Sequence, residues 1–198
     1  MNRIYFIFLV LLLASCKKET TETFEWRGAN RAGTYKETNL LKAWPENGPS
    51  LLWETDLLGV GYGSPTITNE KIFITGTLDS TAILFAFDLK GKLLFKKELG
   101  QEWVVNYPGS RCTPTVVGNL VYVLTGKSDM VCLDSNSGKV KWQKNLVADF
   151  GGVSPLFGFS ESLLVDGNNV ICTPGGVKNN VVALNRFTGE LVWSCAGK

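Results

Sequence analysis

The 198-residue sequence contains no histidine. That absence removes Ser-His-Asp and Cys-His catalysis, His-ligated zinc and c-type haem attachment, each of which needs an imidazole. Five cysteines are present but no CxxC and no adjacent pair, so the spacing writes neither a redox dithiol nor a metal site. Charge of one sign is scarce: 20 basic and 18 acidic side chains leave +2, and no basic run exceeds two residues. The electrostatic footprint of a nucleic-acid partner is therefore missing. Long apolar runs are missing too. The uncharged stretch from Ile4 to Ala14 has eleven residues, a helical rise of ~16 Å against a hydrocarbon core of ~30 Å. What remains, 44% apolar and 11% aromatic, is the composition of a folded globular chain.

Arg3 followed by that short apolar stretch reads as a secretory signal rather than a membrane span. Leu13-Ala14-Ser15-Cys16 resembles the bacterial lipoprotein box, which is cut before a cysteine whose thiol takes a diacylglycerol. The resemblance implies a signal peptide over 1–15, a lipidated Cys16 and a membrane attachment through it. Residues 16–23 (CKKETTET) then form a flexible tether. Lys17 does not resemble the aspartate that retains lipoproteins at the inner membrane, which implies an outer-membrane location on either the periplasmic or the surface face. An exported location permits disulfides. Cys112, Cys132, Cys172 and Cys195 are left open between bridges and buried thiols.

From residue 24 onward the apolar pattern is short, alternating and punctuated by Gly, Asn and Asp, which signals β-structure. It also repeats. One unit runs Ser64 to Leu99, a second Thr113 to Leu146, a third Ser162 to Cys195. Gly91, Gly138 and Gly189 are 47 and 51 residues apart, and Phe95, Trp142 and Trp193 each follow four residues later. Asp88, Asp134 and Asn185 open the turns that those glycines close, because Asx side chains bond to their own backbone and Gly accepts positive φ. Four candidate strands and one large aromatic per unit predict an all-β fold of β-propeller blades. Trp53, Phe95, Trp142 and Trp193 are the expected blade-docking aromatics. Burying each tryptophan would remove ~150–250 Å² from water. Gly151-Gly152 and Gly175-Gly176 open no helix and read as turns rather than phosphate cradles.

The Asp-x(2–4)-Gly-x(3)-Trp ending of each unit resembles the PQQ-like propeller repeat. Trp26-Arg27-Gly28-Ala29-Asn30-Arg31-Ala32-Gly33 resembles the opening of exported members of that family, and Leu40–Pro45, Gly48–Trp53, Gly61–Pro65 and Arg111–Pro114 continue it. The family includes quinoprotein dehydrogenases and a non-catalytic lipoprotein that assists outer-membrane β-barrel assembly. The resemblance thus implies either a lipid-anchored scaffold with a protein or polymer partner, or a dehydrogenase using PQQ with Ca2+ on alcohols or sugars. The scaffold is the expectation, with no cofactor and no metal. Adjacent cysteines to sandwich a quinone are absent, and Asp79, Asp129, Asp149 and Asp166 share no pattern that would assemble the six to eight oxygens calcium takes. Arg111, after a Pro-Gly-Ser turn, is the candidate for an anion site at the channel. Propellers close with about four to eight blades, so three repeats read as the N-terminal part of a ring, or as an arc that self-associates.

Overall fold

A computed structural model describes residues 22–198. The expected signal peptide, Cys16 and the expected tether up to residue 21 lie outside the described residues. Among the described residues, thirteen strands and one 3-10 turn are formed. The first blade holds β2 (Thr66–Ile67), β3 (Lys71–Leu78), β4 (Thr81–Asp88) and β5 (Leu93–Gln101). The second holds β6 (Thr115–Val117), β7 (Leu120–Leu124), β8 (Asp129–Asp134) and β9 (Val140–Asn145). The third holds β10 (Leu164–Asp166), β11 (Asn169–Cys172), β12 (Val181–Asn185) and β13 (Leu191–Cys195). Each is an antiparallel meander in chain order, and the fold is all-β, as the repeats predict.

The turn chemistry acts as the spacing requires. Asp88 Oδ1 accepts from the Lys90 and Lys92 N–H groups, both at 2.9 Å. Asp134 Oδ1 accepts from Asn136 and Ser137, and Asn185 Oδ1 from Phe187 and Thr188. The closing glycines take φ of 84°, 67° and 73°, a region costly for any residue with a Cβ. Next to each turn the register slips, at Ala86/Phe87, Cys132/Leu133 and Ala183/Leu184, so the same irregularity recurs in every blade, and the first blade has a further slip at Ala82/Ile83.

The period-2 alternation of β4 divides two clusters. Leu84 and Ala86 point into the main core, which runs on through Val121, Leu133 and Trp142 to Leu163 and Leu184. Ile83, Phe85 and Phe87 point the other way, where Leu58, Ile72 and Ile74 pack on them and Trp53 stacks on Phe87 at 6.0 Å.

Two features depart from the sequence expectations. The expected tether includes Thr23, yet β1 (Thr23–Phe24) pairs with β6 on the inner edge of the second blade, Thr23 opposite Val117 and Phe24 opposite Val116. Phe24 packs on the main core, which gives so short a strand its anchorage. The second concerns cysteine. All four described cysteines are free; Cys112, Cys132 and Cys172 are buried, but Cys195 is exposed on β13. The apolar run around Cys195 belongs to a strand whose five residues are all exposed.

Candidate functional site

Each blade grips the next through its aromatic. A Cβ on Gly91 would come 2.5 Å from the Trp53 ring, one on Gly138 2.7 Å from Phe95, and one on Gly189 2.8 Å from Trp142. Trp53, Phe95 and Trp142 therefore lie on the turn glycine of the following blade, where no other residue leaves room. The Trp142 grip is also polar: Trp142 Nε1 and Tyr122 Oη both donate to the Arg186 carbonyl at 3.0 Å. Trp193 sits at the same place in the third blade but is 42% exposed and meets no turn glycine among the described residues.

A second set of links, not read from the sequence, runs along the inner edge. Thr66 Oγ1 donates to the Pro114 carbonyl at 2.5 Å, and Thr115 Oγ1 to the Leu163 carbonyl at 2.7 Å. Ser64 N–H donates to Thr113 Oγ1 at 3.0 Å, and Thr113 N–H to Ser162 Oγ at 3.1 Å. The signal was available: Ser64-Pro65-Thr66 and Thr113-Pro114-Thr115 are the same tripeptide type at the same place in successive repeats.

These links hold a cleft of about 390 Å³ between the blade starts and the N-terminal loop, with Trp26, Arg31, Tyr62, Arg111 and Glu161 in its walls. Arg31 is committed there. Its Nε pairs with Glu25 at 2.8 Å and its Nη2 donates to the Ser162 and Leu163 carbonyls at 3.1 and 2.6 Å. Arg111 also spends donors on backbone, to the carbonyls of Gly109, Asn106 and Tyr107, while its guanidinium lies over the Tyr62 ring at 5.8 Å. Arg111 thus lines the cleft and also belongs to the loop surface beside it.

Two carboxyls lie close by. Glu102 is 2% exposed and accepts from Trp103 N–H (2.7 Å), Gly126 N–H (2.6 Å) and Ser110 Oγ (2.9 Å). Burial raises its pKa above the ordinary carboxylate value, against those three donors and the Arg111 charge. Glu161 accepts from the Thr173 N–H and hydroxyl at 2.9 and 3.1 Å, and burial raises its pKa as well. The buried thiols follow the same physics: burial pushes Cys112 and Cys132 up to about 12, far from the reactive thiolate.

The quinone and calcium of the alternative reading need adjacent cysteines and a gathered oxygen set. Among the described residues no group of three or more acidic or sulfur ligands converges, and the carboxyls of Glu102 and Glu161 are each engaged by N–H and O–H donors. The residues described do not fit that cofactor pair, and no reaction step runs through them.

Four-stranded antiparallel blades joined by aromatic-on-glycine contacts define a β-propeller of the PQQ-like repeat class. The sequence matches the PQQ_2 family, described as outer membrane protein assembly factor BamB, over residues 28–154 and again over 84–198, and the chain belongs to that family. It is 25% identical over 139 residues to the outer membrane protein assembly factor BamB of Kangiella koreensis, covering 68% of this chain and 32% of the relative. The chain thus spans about a third of the length of the curated relative it matches. Among solved structures, a europium-containing methanol dehydrogenase superposes with TM-score 0.54 at 17% identity, over 74% of this chain and 26% of its own. The quinohemoprotein alcohol dehydrogenase of Comamonas testosteroni superposes with TM-score 0.53 at 18% identity, over 69% and 21%. These likenesses establish the fold.

Proposed function

We propose that the chain contributes blades of a non-catalytic β-propeller scaffold that serves outer-membrane protein assembly, held at the membrane by a lipid on Cys16. The observation that carries this reading is the family match across 28–198. The polar inventory agrees with it, since the arginines and carboxyls around the central cleft are spent on backbone and blade contacts rather than left free to converge on a substrate. A rigid array of blades presents its crossover loops as a fixed surface, and loops on rigid frames are where recognition resides.

Two measurements test it in the native host. Palmitate labelling should mark the wild type and not Cys16→Ala, with the substituted protein leaving the outer-membrane fraction. Wild type should co-purify, in mild detergent, with barrel-assembly components of that membrane. A wild type that remains soluble and unlabelled overturns the anchor; one that is anchored yet purifies alone overturns the assembly role.

A further inference from the structure

Three aromatic side chains that the repeat motif does not use meet one arginine on the face built by the crossovers. Tyr62 precedes the first blade, Tyr107 lies between β5 and β6, and Phe157 between β9 and β10. They are 62%, 68% and 50% exposed, and with Arg111 they line an open cup of about 500 Å³ whose surface is almost wholly apolar. The Tyr107 and Phe157 rings stand 5.9 Å apart and tilted by 59°, and Arg111 lies on Tyr62.

The cup is held in shape by its own backbone. Tyr107 has φ of +48°, costly for a residue with a side chain, and its carbonyl is one of the three that Arg111 grips. The loop behind is latched across blades: Trp103 Nε1 donates to Asn106 Oδ1 at 2.6 Å, and Asn106 Nδ2 donates to the Leu156 carbonyl at 3.4 Å. Gly158 lies so close to Trp103 that a Cβ there would be 2.8 Å from the indole. Exposed aromatics held in one geometry lose little freedom on binding, and Tyr with Arg is the composition of binding hot spots.

We infer that this cup is a docking site for a protein segment that presents a large apolar side chain next to a carboxylate. The inference rests on the scaffold reading and names the surface it would use. The single charged side chain lining the cup is Arg111, so charge complementarity asks for one anion beside an apolar group. A glycan would need several converging hydrogen-bonding groups, whereas the cup carries only two tyrosine hydroxyls and an arginine already donating to three backbone carbonyls. An anionic membrane surface is recognised by clusters of several cations rather than one.

The test uses the full lipidated chain in detergent and a fluorescent synthetic peptide carrying Phe flanked by Asp in a Gly-Ser background. Controls replace Asp by Lys, or Phe by Ser. Anisotropy should show the Asp-Phe peptide binding at least about tenfold more tightly than either control. Tyr107→Ser and Phe157→Ser should each weaken it about tenfold, the scale of a truncated hot spot, with the thermal unfolding midpoint unchanged. Arg111→Gln should erase the preference for Asp over Lys; because Arg111 also braces its loop, the two aromatic variants are the ones that test the cup itself. Equal binding of the Lys peptide, no binding of any peptide, or indifference to Tyr107→Ser and Phe157→Ser overturns the inference. So does stronger association with phosphatidylglycerol vesicles than with the Asp-Phe peptide, lost in the same variants. Co-purification with barrel-assembly components separates the two readings. If wild type and Tyr107→Ser co-purify equally, the cup fails and the scaffold stands; if wild type does not co-purify, the scaffold reading itself fails.

Discussion

Trp142 and Trp193 hold equivalent positions in successive repeats, yet one is covered by the next blade and the other is not. Trp142 is 8% exposed and Trp193 42%, a difference in burial of about a third of the side chain. With ~150–250 Å² per tryptophan at ~25 cal/mol per Å², that third is worth about 1–2 kcal/mol. Trp142 adds its bond to the Arg186 carbonyl, worth about 1 kcal/mol net. Trp142→Ala should therefore cost about 2–3 kcal/mol more than Trp193→Ala, within the ~3–5 kcal/mol range of a buried Trp→Ala change. Urea unfolding followed by circular dichroism measures both, provided each variant unfolds in one transition with the wild-type slope. Gly189→Ala supplies the internal check. In wild type it suffers both φ strain and the Trp142 clash, whereas in Trp142→Ala only the strain remains, so the two changes should show coupling of about 1 kcal/mol or more. Equal losses for the two tryptophans, or strict additivity with Gly189, would refute the claim that this contact joins the blades.

Three further outcomes are expected. Thr115→Val keeps the shape but removes one of the two donors on the Leu163 carbonyl, Arg31 Nη2 being the other, and should lower stability by about 0.5–1.5 kcal/mol in the same urea assay, whereas a neutral result would mean the Arg31 bond alone satisfies that carbonyl. Glu102 has a raised pKa in the folded chain, so the folded state holds its proton more tightly than the unfolded chain, whose value is 4.5. Stability should accordingly rise as pH falls through the folded pKa toward 4.5 and level off below it. Glu102→Gln should flatten that rise in urea midpoints taken across the range, with the raised Glu161 leaving a residual slope. Among the described cysteines, Cys195 alone should react with a thiol reagent in the native chain, and Cys112, Cys132 and Cys172 only on unfolding; mass spectrometry after timed quenching counts them.

The blades were legible because their determinants are local. An Asx residue, a glycine three or four positions on and an aromatic four beyond that all act within one turn and one strand, so spacing alone reports them. The determinants that escaped are tertiary. Nothing in Thr23-Phe24 marks a strand; two residues carry no period, and only the free edge of β6 gives them a partner. Exposure of Cys195 follows from what lies beside β13, which an apolar run cannot report. Tyr62, Tyr107 and Phe157 lie in crossovers of unlike length and sequence, so no repeat alignment brings them together. Arg111 stood out beside a turn, but its braces are carbonyls of the loop before it, which are invisible in side-chain identity.

Glu102 connects the blade contacts to the loop surface. Its Oε1 accepts from Trp103 N–H at the start of the crossover and from Gly126 N–H in the next blade, and Oε2 takes the Ser110 hydroxyl near the crossover's end. One buried carboxyl therefore pins both ends of the 102–111 loop to the second blade. Gly126 has no room for a side chain, since Glu102 already fills the space where a Cβ would stand. A charge desolvated to this degree would be expelled if its donors were not fixed in advance. Its place is thus tolerable only while the blades remain docked. The aromatic loop face and the interblade core consequently stand or loosen together: a change that separates the first two blades removes Gly126 from Glu102, and the loop that carries Tyr107 loses its footing before any exposed residue is touched.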